Sequence, residues 1–150
     1  MQAELKVELH SSAIDTNFEA LDPKLEAMKE AIVSPDLSVK IIDSPVPKPG
    51  PGEVLIKVIC AGFNPKDWKY PFFTKQPGNT GDDVAGEVAE VGEDVFEFKH
   101  GDKVAAFHEM TTSGGAFAEY AIAHASTTFH LPKKTSFEEV CVQMTSCRRY

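Results

Sequence analysis

Between Asp43 and Gly52 the chain reads Asp-Ser-Pro-Val-Pro-Lys-Pro-Gly-Pro-Gly, four prolines and two glycines in ten residues. Each proline lacks a backbone donor and fixes its own φ, so neither a helix interior nor a central strand runs through such a stretch. It is a rigid loop, and regular structure has to stop before it and restart after it. Immediately downstream, Val54, Ile56, Val58 and Cys60 alternate with Leu55, Lys57, Ile59 and Ala61, which predicts a strand with the first four residues on one face.

Further strand-like runs cover Asp83–Val91, Lys103–Phe107, Ala116–Ala123 and Thr127–Leu131. Gly92-Glu93-Asp94, Gly101-Asp102 and Gly114-Gly115 separate them as turns. Short strands at this spacing, with few helical segments, predict a mainly β (α+β) domain built as a closed or partly open β-barrel with short helices. Upstream, Ser38 to Ile42 also alternates. Asp22-Pro23 ahead of Lys24–Ala31 predicts a short helix, with an acidic N-cap, proline at the first helical position and good helix formers behind it. A loose tail is expected before that helix.

A chain of 150 residues is long enough for one independent core, burying about 68–70% of its unfolded surface. Its net charge is −8, from 15 basic and 23 acidic residues, and the acids are scattered. An acidic chain without a basic stripe is a poor nucleic-acid binder. No apolar run approaches the ~20 residues of a spanning helix, so no membrane partner is expected. Glu4, Lys6 and Glu8 interrupt any secretory signal, and the acidic, arginine-free first segment does not suit a mitochondrial presequence, so a cytoplasmic location is expected. Cys60, Cys141 and Cys147 are odd in number and form no Cys-x-x-Cys pair, which fits a reducing compartment. Alternation with Val58 gives Cys60 the role of a buried structural thiol. His10, His100, His108, His124 and His130 show no metal-ligand spacing, and His108 beside Glu109 reads as a surface or strand-end histidine.

From spacing alone, Asn64-Pro65-Lys66-Asp67 reads as a β-turn with solvated lysines. Between Asn64 and Asn79, however, Lys66, Lys69 and Lys75 face one acid, Asp67. Such a local positive excess in an acidic chain suits a phosphate-bearing ligand. Trp68 beside it offers a flat apolar wall with one donor. No Gly-x-Gly-x-x-Gly or Walker-type loop follows any strand, so no Rossmann domain is expected in this chain.

The order of several blocks resembles the N-terminal, GroES-like half of the medium-chain dehydrogenase/reductase family. They are Pro49-Gly50-Pro51-Gly52-Glu53-Val54-Leu55-Ile56-Lys57-Val58, Asn64-Pro65-Lys66-Asp67, Gly81-Asp82-Asp83-Val84-Ala85-Gly86-Glu87-Val88-Ala89-Glu90-Val91-Gly92, Gly101-Asp102-Lys103-Val104 and Gly115-Ala116-Phe117-Ala118-Glu119-Tyr120. Within the family the match is to the zinc-free branch, the quinone oxidoreductases and fungal trans-enoyl reductases. Zinc members place a cysteine just after the first long strand and a histidine in a Gly-His-Glu block. Here Asn64 and Asp82 stand at those positions, and an amide is a poor substitute for a thiolate ligand. The resemblance therefore implies no metal.

It implies a GroES-like catalytic domain over 28–139, preceded by an extension over 1–27 and followed by a divergent tail over 140–150 that holds both arginines. It also implies NADPH-dependent hydride transfer to an activated double bond of a small-molecule substrate, enoyl or quinone in type. Lys66, Asp67, Trp68 and Lys69 match a nucleotide-contacting run, and Asn64 and Lys69 are the catalytic candidates. Lys69 stands where many quinone oxidoreductases carry tyrosine, so its role would be that of an electrostatic donor. Without a Rossmann partner the chain is expected to bind NADPH weakly or not at all and to lack activity alone. Homo-oligomerisation or association with a full-length homologue is expected, and the alternative is a non-catalytic GroES-like interaction or regulatory module.

Overall fold

The structure is a computed structural model, and it describes residues 27–141. Seven strands form two antiparallel sheets: β1 (Ala27–Val33) with β2 (Val39–Pro45), and a five-stranded sheet of β3 (Glu53–Ala61), β4 (Asp83–Val91), β5 (Lys103–Phe107), β6 (Tyr120–His124) and β7 (Thr128–His130). The larger sheet runs in the order β6-β3-β4-β5-β7 and curls into a half-barrel. A 3-10 turn, Ala125–Thr127, joins β6 to β7, and the Thr127 hydroxyl donates to the Phe107 carbonyl at 2.8 Å, linking that turn to the end of β5. The smaller sheet is tied on through the 117–119 segment, where Ala31 N–H donates to Phe117 O at 2.8 Å and Glu119 N–H to Lys29 O at 3.1 Å.

The predicted β4 and β5 have the observed bounds. The run Ala116–Ala123 is regular only from Tyr120, because residues 116–119 bend away to reach β1. The helix expected over Lys24–Ala31 is corrected from Ala27 onward, where the chain is strand; its earlier residues lie outside the described ones. Ala, Met, Lys and Glu favour helix locally, but seven consecutive pairs with β2 and the burial of Met28 and Val33 override that preference. The proline-rich segment also starts later than its composition implies. Asp43 to Pro45 still pair with β1, which an edge strand allows because Pro45 needs no donor there. Gly52, at φ 75°, then pins the loop: its N–H donates to Glu93 O at 2.7 Å and its carbonyl accepts from Ala125 N–H at 2.8 Å.

The core divides by sheet face. Val54, Ile56, Val84, Val88, Val104, Ala106, Ala121 and Ala123 fill the concave side. Leu55, Ile122, Tyr120 and Ala89 pack with Met28 beneath β1. A third cluster joins Ala85 and Ala105 to Val140 and Cys141 from a helical turn over 137–141, with Cys60 beside them. Cys60 thus lies on the opposite face from its predicted neighbours. The register shifts at Leu55/Ile56, where Ala89 of β4 is the extra residue, and at Val58/Cys60, where Ile59 of β3 is. The second shift moves Cys60 outward and brings Ala61 onto the face of Val54, Ile56 and Val58, since one extra residue reverses the alternation.

Burial, reinforced by the neighbouring Cys60 thiol, pushes the Cys141 thiol up to about 12. At pH 8, Cys141 of the folded protein is expected to react with iodoacetamide roughly a thousandfold more slowly than an ordinary cysteine, because the thiolate is the nucleophile. Peptide mass spectrometry of native and urea-unfolded samples checks this. Equal labelling of Cys141 in both would contradict the packing described.

Candidate active-site cleft

The segment that reads as a turn is the start of a helix, α1 (Pro65–Thr74). Asn64 is the N-cap, Pro65 fills the first position where no donor is needed, and Asp67 at the third accepts from Asn64 N–H at 2.7 Å. The sequence signal was present in this Asn-Pro-x-Asp spacing. The Asn64 side chain turns inward instead, donating to Asp83 Oδ2 at 2.8 Å. Pro71 lies inside the helix and cannot donate to the carbonyl of Asp67 one turn back. The Thr80 hydroxyl takes that carbonyl at 2.8 Å. The helix is thereby stitched to the segment leading into β4 at the point where an ordinary helix would bond to itself.

Lys66 completes the stitch. Its ammonium lies 2.6 Å from Asp82 Oδ2 and 3.1 Å from Asp67 Oδ1, and it donates to the Thr80 carbonyl. Two of these contacts are ion pairs and the third is a hydrogen bond. Both carboxylates are almost fully buried, while Lys66 keeps about a quarter of its side chain exposed (27%). Burial pushes the Asp67 carboxyl above its ordinary value, against the opposing pull of the Asn64 N–H and the Lys66 ammonium. A raised folded value means that this group's stabilising contribution is complete below the unfolded value near 4 and is lost as pH rises through the folded value. Asp67→Asn keeps an acceptor for Asn64 N–H and never ionises. Its stability relative to wild type is expected to be higher at pH 7 than at pH 4, as read from urea unfolding; a difference independent of pH would contradict it.

The local positive excess read from the sequence is corrected by these contacts. Lys66 is matched by two carboxylates, and Asp82 falls outside the window in which the charges were counted. The N-terminus of α1, ordinarily favourable to anions, is closed by the carboxylate of Asp67.

Beside α1 lies a cavity of about 420 Å³. Its lining includes Lys66 and Tyr70, one turn apart on the helix, Asn79 and Thr80 from the segment before β4, Glu30 of β1, and the loop from Met110 to Ser113. Of the residues expected from the sequence, the cavity gathers Lys66 alone. Asn64 and Asp67 are enclosed behind it and hold the helix in place. Trp68 and Lys69 are exposed beyond its lining, with the Lys69 ammonium 5.5 Å from the Trp68 ring centroid. Tyr70, Thr80 and Thr112 were not singled out by the sequence; for Tyr70 the signal was its i+4 spacing from Lys66 once α1 is known to be a helix. His108, expected at the surface or a strand end, is buried: it directly follows β5, its N–H donates to Asp82 O at 2.7 Å, and its ring lies against β6. Among the described residues no three His, Cys, Asp or Glu side chains come together to hold a metal, and no helix is long and apolar enough to cross a membrane.

A curled antiparallel half-barrel, with one short helix capped by Asn64 and bonded back to the strand entering β4, defines a GroES-like domain. Residues 50–133 match the family described as "Alcohol dehydrogenase GroES-like domain", and the chain belongs to that family, within the medium-chain dehydrogenases/reductases. It is 53% identical over 126 residues to the trans-enoyl reductase fsr4 of Gibberella fujikuroi, covering 81% of this chain and 37% of that protein. Among solved structures it is similar to the quinone oxidoreductase of Coxiella burnetii (TM-score 0.65, 29% identity, 77% of this chain and 40% of that one). It is equally similar to mycobacterial Rv1454c complexed with NADPH (TM-score 0.65, 30% identity, 76% and 35%). The chain thus spans little more than a third of the relatives it matches. The relatives are oxidoreductases of enoyl and quinone type.

Proposed function

We propose that this chain provides the substrate side of an NADPH-dependent, zinc-independent reductase acting on a double bond conjugated to a carbonyl, as in an enoyl thioester or a quinone. The observation that carries the reading is the α1 cavity. Its single lysine is outweighed by Asp67 and Asp82, the lining carboxylate of Glu30 accepts from Asn79, and Tyr70, Thr80 and Thr112 add hydroxyl-bearing side chains to the lining. Such a lining suits a neutral, oxygen-bearing substrate better than a phosphate or a free carboxylate. Zinc independence is supported by the Lys66 ammonium, a cation already held between Asp67 and Asp82, and by the Asn64 amide, which presents a donor to Asp83.

NADPH supplies the hydride in this reading. The residues described here contribute a rigid wall for the reacting end, and the exposed Trp68–Lys69 edge is the nearest surface for the rest of the nucleotide. Because the α1 terminus is capped and Lys66 is compensated, the chain alone is expected to bind NADPH more weakly than the low-micromolar range. It is also expected to show no NADPH oxidation with crotonyl thioester or benzoquinone. Calorimetric titration and an absorbance assay with and without chelator check this. A low-micromolar dissociation constant for the chain by itself would overturn the assignment of the phosphates to other residues, and activity abolished by chelator would overturn zinc independence.

A further inference from the structure

We propose that Thr112, governed by His108, is the hydrogen-bond donor that receives the carbonyl oxygen of the substrate in the α1 cavity, and that the charge on His108 sets whether this donor is available. This rests on the reading of the cavity as a substrate site given above.

His108 is 2% exposed, and its ring is held from both sides. Nδ1 lies 2.7 Å from the Ile122 carbonyl, which can only accept, so Nδ1 carries a hydrogen whatever the charge on the ring. Nε2 lies 3.1 Å from Thr112 Oγ1 and 3.4 Å from the Thr112 carbonyl, the hydroxyl being the nearer, and the same hydroxyl lies 2.8 Å from the Glu109 carbonyl. The hydroxyl has one proton and two places to send it. When His108 is neutral, Nε2 is an acceptor and the threonine proton is drawn to the ring. When His108 is an imidazolium, Nε2–H donates to Oγ1 and the threonine proton is released outward, to Glu109 O in the empty cavity or to a carbonyl oxygen that enters it.

Thr112 is placed for that second role. It lines the cavity together with Lys66 and Tyr70. Lys66 is already engaged: its ammonium is ion-paired with Asp82 and Asp67 and donates to the Thr80 carbonyl. The loop presenting Thr112 holds Thr111 at φ 70°, a left-handed conformation costly for a β-branched residue and tolerated where the surroundings enforce it. The titratable groups on the elements around His108 are Glu109 beside it and Asp82, whose carbonyl accepts the His108 N–H and whose carboxylate pairs with Lys66. Tyr120 and His124 lie two residues to either side of Ile122 on β6. Thr112 is thus the residue that meets substrate, and His108 is a positioning residue acting through it.

Two measurements on the 15N-labelled chain test the proposal. In the first, the His108 ring nitrogens are titrated by NMR in wild type, Thr112→Val and Thr112→Ser. The valine variant is expected to lower the midpoint by about 0.5–1 pH unit, because the imidazolium loses a charge-assisted bond and the neutral ring only a weaker neutral one. The serine variant is expected to restore it. An unchanged midpoint in the valine variant would overturn the coupling. In the second, crotonyl-N-acetylcysteamine, a small enoyl thioester, is titrated at pH values above and below that midpoint. Its affinity is expected to rise at least about threefold at the lower pH in wild type and Thr112→Ser and to stay flat in Thr112→Val, the loss being again one hydrogen bond. Binding that shifts Lys66, Tyr70 and Thr80 without this pH dependence overturns the role of Thr112 and leaves the cavity as a substrate site. A thioester that shifts none of the cavity residues overturns the substrate reading itself, and with it the ligand half of the proposal, while the first measurement still decides the His108–Thr112 coupling.

Discussion

Replacing Lys66 with methionine is expected to destabilise the protein by about 3–5 kcal/mol at pH 7, although the residue is partly exposed and methionine fills similar space. The loss comes from what is left behind. Asp67 and Asp82 are enclosed, and without the ammonium at 3.1 and 2.6 Å they must either remain charged in a poorly solvated site or take up protons. The Thr80 carbonyl loses a donor at the same time. Two further variants separate charge from packing. Lys66→Met combined with Asp82→Asn should recover a large part of the loss, because the double change removes one stranded charge. Lys66→Met alone should lose less at pH 4 than at pH 7, since protonation relieves the same carboxylates. Urea unfolding at both pH values reads all of this, and a Lys66→Met protein as stable as wild type at pH 7 would show that the triad contributes nothing.

Gly86→Ala is expected to cost more than about 3 kcal/mol, or to prevent folding, because the added carbon has no room to shift into. A Cβ there would lie 2.0 Å from the Lys57 carbonyl and 3.0 Å from Ile56 Cγ2. Gly86 pairs with Val58 on β3 and Val104 on β5, so the strain falls at the middle of the half-barrel, where neither neighbouring strand can retreat without opening the core. Gly78→Ala is the matched control: nothing lies within 4 Å of a Cβ at that position. Its stability should stay within about 0.5 kcal/mol of wild type, as for substitutions away from packed features. Soluble yield and urea unfolding of the two variants provide the comparison, and equal behaviour would contradict the β3–β4 packing.

How far the sequence could be read follows from the range of the forces involved. Strands β4 and β5 were legible to the residue because their alternation and flanking Gly-Asp turns are local signals. The faces of β3 were legible only as far as Val58. The bulge at Val58/Cys60 is fixed by pairing with Ala85, and no residue type at Ile59 announces it. Ala27–Ala31 misled for a similar reason, since its helix formers are overruled by a partner strand fourteen or so residues away through the Leu37 turn. In the cleft, residues 64–69 were picked out, but their chemistry was not. Counting lysines against acids along a window cannot see that Lys66 meets Asp82 across sixteen residues of chain. Nor can a histidine ending a strand be told from one buried against the following strand, until Ile122 O is found at its ring.

The β1–β2 ribbon has a bearing on how this protein behaves at high concentration. Among the described residues β2 pairs with β1 alone, so its other edge offers backbone donors and acceptors beside the exposed side chains of Val39, Ile41 and Ile42. An unmatched apolar edge is a template onto which a further strand adds, and chains of this kind assemble edge to edge into aggregates. Lys40, Asp43 and Pro45 punctuate that edge with charge and with a residue that cannot donate. Among the described residues, the β2 edge thus combines an apolar surface with three residues of the kind that disfavour strand addition.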